Sequence, residues 1–262
     1  MKRFYFVFMV LVAGLMLVGP SAEARKKSVR LMTYNVGAFG KELDDSAPMI
    51  ARMIAELGAE TVSLNELDSC NRRHDFYQLA SLADALGAAD YHFASAFPYA
   101  DGAYGNGIVA GSPILRRDHI ALPVFDGSEP RSVAVIETRD CVFAATHLDH
   151  RGAQASTLQA ERINAWFREH YPAGRKPVFL CGDMNAAPGS ATVSALLEAW
   201  EPLSPEQFTY DSQQPHICID YIFRLRDSAP VRVRAGGVPS GKEDPRLEAA
   251  SDHLPVYVKV SF

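Results

Sequence analysis

Apolar runs along this chain end repeatedly on short polar islands: TYN at 33–35, NELD at 65–68, THLDH at 146–150, GDMN at 182–185 and SDH at 251–253. VRLMTY (29–34) alternates as a strand should and stops at Asn35. Ser46 then caps a helix whose apolar positions Met49, Ile50, Met53, Ile54 and Leu57 recur at helical spacing until Gly58 closes it. TVSLNE (61–66) is the next strand. After the polar loop DSCNRRHD, a second helix carries Phe76, Leu79, Ala80, Ala83 and Leu86 and stops at Gly87. The middle is strand-rich: YHFAS (91–95), NGIVAG (106–111), RSVAVIET (131–138) and CVFAATH (141–147), the last two joined by a hairpin at Arg139-Asp140. A helix near 152–170, apolar at Leu158, Ile163, Trp166 and Phe167, precedes PVFLCGD (177–183), a strand of the buried type. Ser190 caps a helix with Val193, Leu196 and Leu197. ICIDYIF (217–223) and LPVYVKVSF (254–262) are the closing strands, and the Gly/Pro/charge-rich segment 236–250 reads as a loop.

Strand–helix–strand units at both ends, strands between them and no dividing linker predict an α/β domain over 25–262. Its expected form is a four-layer sandwich, two packed mixed β-sheets flanked by helices. The islands would then share one rim. Residues 1–24 form a separate unit: Lys2 and Arg3, an apolar run from Phe4 to Val18, a break at Gly19-Pro20 and small residues around Ala22-Glu23-Ala24. This reads as a secretory signal peptide cut after Ala24, with a run short for a membrane span. The expected protein is exported, periplasmic or extracellular, monomeric and without a stable membrane anchor. Losing Lys2, Arg3 and Glu23 takes the basic count from 26 to 24 and the acidic count from 31 to 30, a net charge of −6. That balance disfavours general nucleic-acid binding, which rests on clustered positive charge. Export permits disulfides; of the four cysteines, Cys70 and Cys218 lie near islands and could pair, while Cys141 and Cys181 sit in apolar strands.

The islands carry hard-cation and phosphate chemistry. The amide oxygen of Asn35 suits a cation or its bound water, or the residue simply makes a turn. Glu66 ends a buried strand and needs a cation, a donor, or an ion pair with Arg72 or Arg73. His147 could donate to a phosphate oxygen or bond to backbone. Asp183 and Asn185 lie two apart, so an extended segment would point both the same way, a base beside an amide donor; a turn with Asx capping is the other reading. Asp220, within an apolar strand, could orient an imidazole, and His253 beside Asp252 is the candidate ring.

The ordered segments TYNV, NELD, YGNGI, THLD, GDMNAAPGS, IDYIF and SDHLPV resemble the endonuclease/exonuclease/phosphatase superfamily, from about Val29 to Phe262. The cast, including the DSCNRR loop, is most similar to exported bacterial members, and the pair His147 and His253 to the deoxyribonuclease and sphingomyelinase branches. The resemblance implies a phosphoesterase dependent on magnesium or manganese, with Glu66, Asn35 and Asp252 as metal ligands. It also implies that Asp183 activates water, Asn185 and His147 bind the scissile phosphate, and His253, oriented by Asp220, acts as donor or acid/base. Substrate-side candidates are Arg72, Arg73, Tyr104 and Asn106. Asn65 stands where members often carry Gln, and Tyr104 is one position out of register with the phosphate-contacting tyrosine of abasic-site enzymes. A small phosphoester such as a phospholipid headgroup or sugar phosphate is the expected substrate. The rivals are an extracellular nuclease and a phosphate-binding module without catalysis.

Overall fold

The computed structural model describes Met1 and residues 27–262 other than 126 and 175, so the leader segment lies outside the described residues. In chain order the elements are β1 (Ser28–Asn35), α1 (Ala47–Leu57), β2 (Thr61–Ser69), α2 (Gln78–Leu86), β3 (Asp90–Tyr99) and β4 (Gly102–Ala110). There follow β5 (Arg116–Ala121), β6 (Ser132–Glu137), β7 (Val142–His147), α3 (Ala153–His170), β8 (Val178–Asp183) and α4 (Ala191–Leu197). The chain closes with β9 (Trp200–Pro202), β10 (Asp220–Leu225), β11 (Arg232–Gly237), α5 (Arg246–Ala250) and β12 (Val256–Ser261). A short 3-10 turn spans Gly37–Phe39.

Two six-stranded mixed sheets result, in the orders β11-β12-β1-β2-β4-β3 and β5-β6-β7-β8-β10-β9. Each has one parallel pair, β1 with β2 and β7 with β8, and every other pairing is antiparallel. A parallel pair needs a crossover, and α1 and α3 supply it. The helices therefore lie on the outer faces and the expected sandwich forms.

Strand periodicity decides which residues meet between the sheets. In β1, Leu31 joins the inter-sheet core while Met32 and Tyr34 pack towards the helices. In β7 and β8, Phe143, Ala145, Phe179 and Cys181 face inward and Val142, Ala144, Val178 and Leu180 outward. Continuing the inward parity along each strand arrives at Asn35, Asn65, His147 and Asp183. β10 runs the other way, so its inward position beyond Ile222 is Asp220, paired in register with Asp183. The polar islands are thus the inward face of the sandwich where its apolar filling ends.

Several sequence expectations change. Ser46 makes no side-chain cap; Asp45 Oδ1 accepts from the Ala47 amide at 2.9 Å instead. Ser190 does cap α4, accepting from Val193 N. Phe76 precedes α2 and is exposed. Segment 236–250, expected as loop, contains α5. Cys70 and Cys218 do not pair: both are free, one exposed after a strand of the first sheet, the other buried before a strand of the second.

Candidate active site

Two local backbone devices deliver the central carboxylates. At Gly182, φ is +146°, and a Cβ would stand 1.8 Å from Thr146 O, so only glycine lets β8 press against β7 immediately before Asp183. At Glu66, φ is +59° and the β2–β4 register slips between Leu64 and Leu67. The extra residue of this bulge is released from the strand's alternation. Leu67 returns to the outer apolar face, and Glu66 is left partly exposed at the rim.

Asp183 is the hub. Its Oδ1 accepts from Asn185 N at 2.8 Å and its Oδ2 from Asn35 Nδ2 at 3.1 Å. His147 Nε2 and His253 Nε2 stand 3.4 and 3.6 Å from the same Oδ2. Burial, reinforced by the Asp220 charge, lifts Asp183 to about 7, although His253, Asn185 N and Asn35 pull it down. His253 Nδ1 lies 2.9 Å from Asp220 Oδ2. Burial disfavours its charged form, but Asp220 and Asp183 outweigh burial and push the ring to about 10. His147 goes the other way: burial, with Arg131 and His253 nearby, drives it well below its ordinary value and keeps it neutral. One imidazole is charged and the other is not because only one has a carboxylate behind it.

Asn185, at φ +48°, turns back rather than extending. Its amide nitrogen donates to Leu148 O at 3.0 Å, which fixes the flip, and to His147 Nε2 at 2.9 Å. In this arrangement it seats the His147 ring. Asn35 is likewise fixed by a backbone donor: Gly37 N donates to Oδ1 at 3.1 Å. Its NH₂ therefore faces the site and bridges Glu66 Oε1 and Asp183 Oδ2, both at 3.1 Å. The oxygen expected to ligate a metal is engaged by the tight turn behind it, and the donor end of the amide faces the carboxylates.

Glu66 and Asp252 remain as the exposed-side carboxylates, and both flank Lys41. Its Nζ is 3.1 Å from Asp252 Oδ2 and 3.8 Å from Glu66 Oε2. Burial lowers the Lys41 pKa, but the two carboxylates outweigh that and hold it above its ordinary value. A position where two carboxylates grip an ammonium fits a hard divalent cation, which prefers all-oxygen ligands. Asp183, Asp220 and His253 also offer ligand atoms within 4.8 Å of one another. The Asp220–His253 hydrogen bond, the His253–Asp183 ion pair and the register pairing of Asp183 with Asp220 account for that proximity without an ion.

The cleft over these groups holds about 300 Å³ and is lined by Glu66, His147, Asp183, Asn185, Asp252 and His253, among others. Four more lining residues escaped the sequence reading: Lys41, Glu129, Arg131 and Tyr210. Arg131 is 4% exposed, with Nη2 3.1 Å from His150 Nδ1 and 3.5 Å from Glu129 Oε1, and its Nε has no partner among the described residues. A buried cation at a strand start carries no periodic signal. Of the substrate-side candidates, Tyr104 lines the cleft and Arg73 an adjoining hollow. Asn106 is not in the cleft: it is 2% exposed and bonds Asn65 and Ser132 O between the sheets. Arg72 points elsewhere too, exposed and paired with Asp101. A larger hollow of about 850 Å³ lies between α1 and the segment around 236–247 and contains none of the candidate residues.

Residues 32–253 match the profile of the Endonuclease/Exonuclease/phosphatase family. No curated protein matches the chain in sequence. Among solved structures, a mannosyl-6-phosphatase from Bacteroides thetaiotaomicron is similar at a TM-score of 0.74 and 18% identity, covering 89% of this chain and 100% of that one. An endonuclease/exonuclease/phosphatase family protein from the same organism gives 0.69 and 21%, covering 91% and 99%. ANGEL2, a 2′,3′-cyclic phosphatase, gives 0.69 and 17%, covering 91% and 96%. At such identities the likeness is one of fold.

Proposed function

Because the chain belongs to the endonuclease/exonuclease/phosphatase family, whose members hydrolyse phosphoester bonds, we propose that its rim site hydrolyses a small phosphoester by in-line attack of water. The substrate would be a phospholipid headgroup, a sugar phosphate or a comparable small ester. The observation that carries this reading is the buried line Asp183–His253–Asp220, with His253 Nε2 3.6 Å from Asp183 Oδ2 and its Nδ1 2.9 Å from Asp220 Oδ2, in which burial lifts Asp183 to about 7 and Asp220 holds His253 cationic. A base and an acid whose environments push them apart are the equipment of proton transfer near neutral pH.

Glu66 and Asp252 would hold magnesium or manganese, which would supply Lewis-acid neutralisation of the phosphoryl oxygens. The chain's own groups do the rest. Asp183 takes the proton of the attacking water as the new P–O bond forms. His253 donates its Nε2 proton to phosphoryl or departing oxygen as the ester P–O bond breaks, and Asp220 keeps its ring charged and aligned. His147, seated by Asn185, stays neutral and lines the cleft beside Asp183 without adding a charge. Arg131, buried at the cleft wall and 3.5 Å from Glu129, supplies a guanidinium to a phosphoryl oxygen.

Asp183→Asn and His253→Ala are expected each to cut turnover by at least ~10²-fold while leaving the thermal transition in place. Glu66→Gln is expected to weaken magnesium or manganese binding measured by titration calorimetry. A phosphoester panel of phospholipid, nucleotide, DNA and sugar phosphate, each with magnesium, manganese and calcium and against Asp183→Asn, tests the reading. Undiminished hydrolysis by Asp183→Asn would remove it, and preference for DNA would convert it to the nuclease alternative.

A further inference from the structure

The catalytic cleft opens sideways. A second hollow of about 490 Å³ shares Lys41, Glu66, Tyr104 and Glu129 with it. Whatever is esterified to a phosphate in the cleft has this hollow as a neighbouring space, and its volume is within the ~300–1,000 Å³ of small-molecule sites. Its wall is built from β3 and β4. Phe97 and Tyr104 are register partners, and with Tyr99 they form a three-ring cluster with centroids 5.3 to 6.3 Å apart. The rings brace one another, so their faces are held in place before anything binds.

Arg73 lies over one of these rings, its guanidinium carbon 5.0 Å from the Tyr99 centroid. Its Nε and Nη2 are taken by Asp68, at 2.7 and 2.8 Å, and Asp68 is fully buried. The guanidinium is rigid and its charge is already compensated; among the described residues no acceptor takes its Nη1. Asp44, Glu66 and Glu129 supply carboxylates; Glu129 is 3.5 Å from the Arg131 guanidinium, and Lys41 is engaged by Glu66 and by Asp252 of the cleft. A second phosphate entering here would find no positive charge that is not already paired. An apolar chain would strip water from those carboxylates for no hydrogen bond in return. A flat base sandwiched between parallel rings is also excluded, since the interplanar angles are 43° to 90°.

An uncharged polyhydroxylated ring satisfies every wall. Its hydroxyls can donate to the carboxylates and accept from Arg73 Nη1, and its C–H face can lie on the fixed aromatic surface. Building on the phosphoesterase reading, we infer that this hollow is a subsite for an uncharged polyhydroxylated ring, a sugar or a cyclitol, carried as the ester substituent of the phosphate. Phe97, Tyr99 and Arg73 act there as specificity-determining residues, and none of them touches the reacting atoms.

The test compares a hexose 6-phosphate, inositol 1-phosphate, a nucleoside 5′-monophosphate and p-nitrophenyl phosphate on the enzyme with magnesium or manganese. The proposal expects kcat/KM for one of the two polyol esters to exceed that for the nucleotide and aryl esters by at least ~10-fold, and which of the two wins separates sugar from cyclitol. Phe97→Ala and Arg73→Gln should raise KM for that ester by ~5-fold or more with kcat little changed, the mark of lost ground-state binding, and Phe97→Tyr should restore it. Cleavage of the aryl ester without polyol preference overturns the subsite and leaves the phosphoesterase reading standing. Inertness towards all four esters, in folded protein, overturns the subsite, and inertness towards the phospholipid and DNA of the wider panel as well overturns the phosphoesterase reading.

Discussion

At the residue scale two of the candidate site groups, Asp183 and His147, were legible because each ends an apolar strand on its inward parity, and burial at that place is costly for a group without a task. The orientation of Asn35 was not, because it depends on Gly37 N approaching Oδ1 in the turn that follows. Sequence specifies the amide but not which end faces the site. The NH₂ end, between Glu66 and Asp183, explains how two carboxylates coexist there. Asn35→Asp removes that donor and puts an acceptor-only group against both. The new carboxyl would have its folded pKa raised above the unfolded value. The destabilisation should therefore be full at pH 8 and shrink as pH falls and the carboxyl protonates. Chemical denaturation should show a loss of ~2 kcal/mol or more at pH 8 and a smaller one at pH 5. Equal losses at both would mean that the amide is not separating charges.

At the element scale the central strands and long helices follow their apolar periodicity, and the edges do not. β5, β9 and β11 carry no such signal: all three are edge strands, and β5 and β11 have largely exposed, charged sequences, so the alternation that betrays a half-buried strand is missing. The bulge at Glu66 was equally silent, since a glutamate is not a residue that announces positive φ. The loop after β2 carries its own order. Asn71 Oδ1 accepts from Arg73 N and His74 N, and Asp68 receives Arg73 and His74 side chains. Burial pushes the Asp68 carboxyl up, but the hydrogen bonds of Arg73, His74 and Asn71 outweigh it and hold it below its ordinary value of 3.8. A carboxylate depressed on folding stabilises the folded state above its unfolded pKa and loses that contribution as pH falls through the folded one. Asp68→Asn should therefore melt well below the parent at pH 7, with the gap closing below about pH 4. Parallel melting curves of the two proteins from pH 7 to pH 2.5 would show a constant gap if Asp68 acted only through packing.

At the scale of the whole molecule, element order made the layered sandwich legible but not how its two sheets are joined. Apolar side chains fill most of the space between them, and a belt of hydrogen bonds takes over towards the rim. Asn65, fully buried on β2, crosses that boundary: its Nδ2 donates to Thr146 O at 2.8 Å and Asn106 Oδ1 at 2.9 Å, and its Oδ1 accepts from Asp183 N at 3.1 Å. Asn106 continues to Ser132 O, and Ser132 Oγ returns to Ala94 O. One side chain of the first sheet thus fixes the backbone of Asp183 on the second, which is how strands distant in sequence keep Glu66 and Asp183 in one constellation. Asn65→Leu would strand the Asp183 amide, the Thr146 carbonyl and the Asn106 amide oxygen without partners. Each buried unpaired group costs about 1–3 kcal/mol, so a loss of ~3 kcal/mol or more is expected in denaturant titration. Turnover in the protein that remains folded should fall with kcat rather than KM, because Asp183 is loosened while the substrate walls are intact. A variant as stable and as fast as the parent would show that the sheets hold their register through the apolar filling alone.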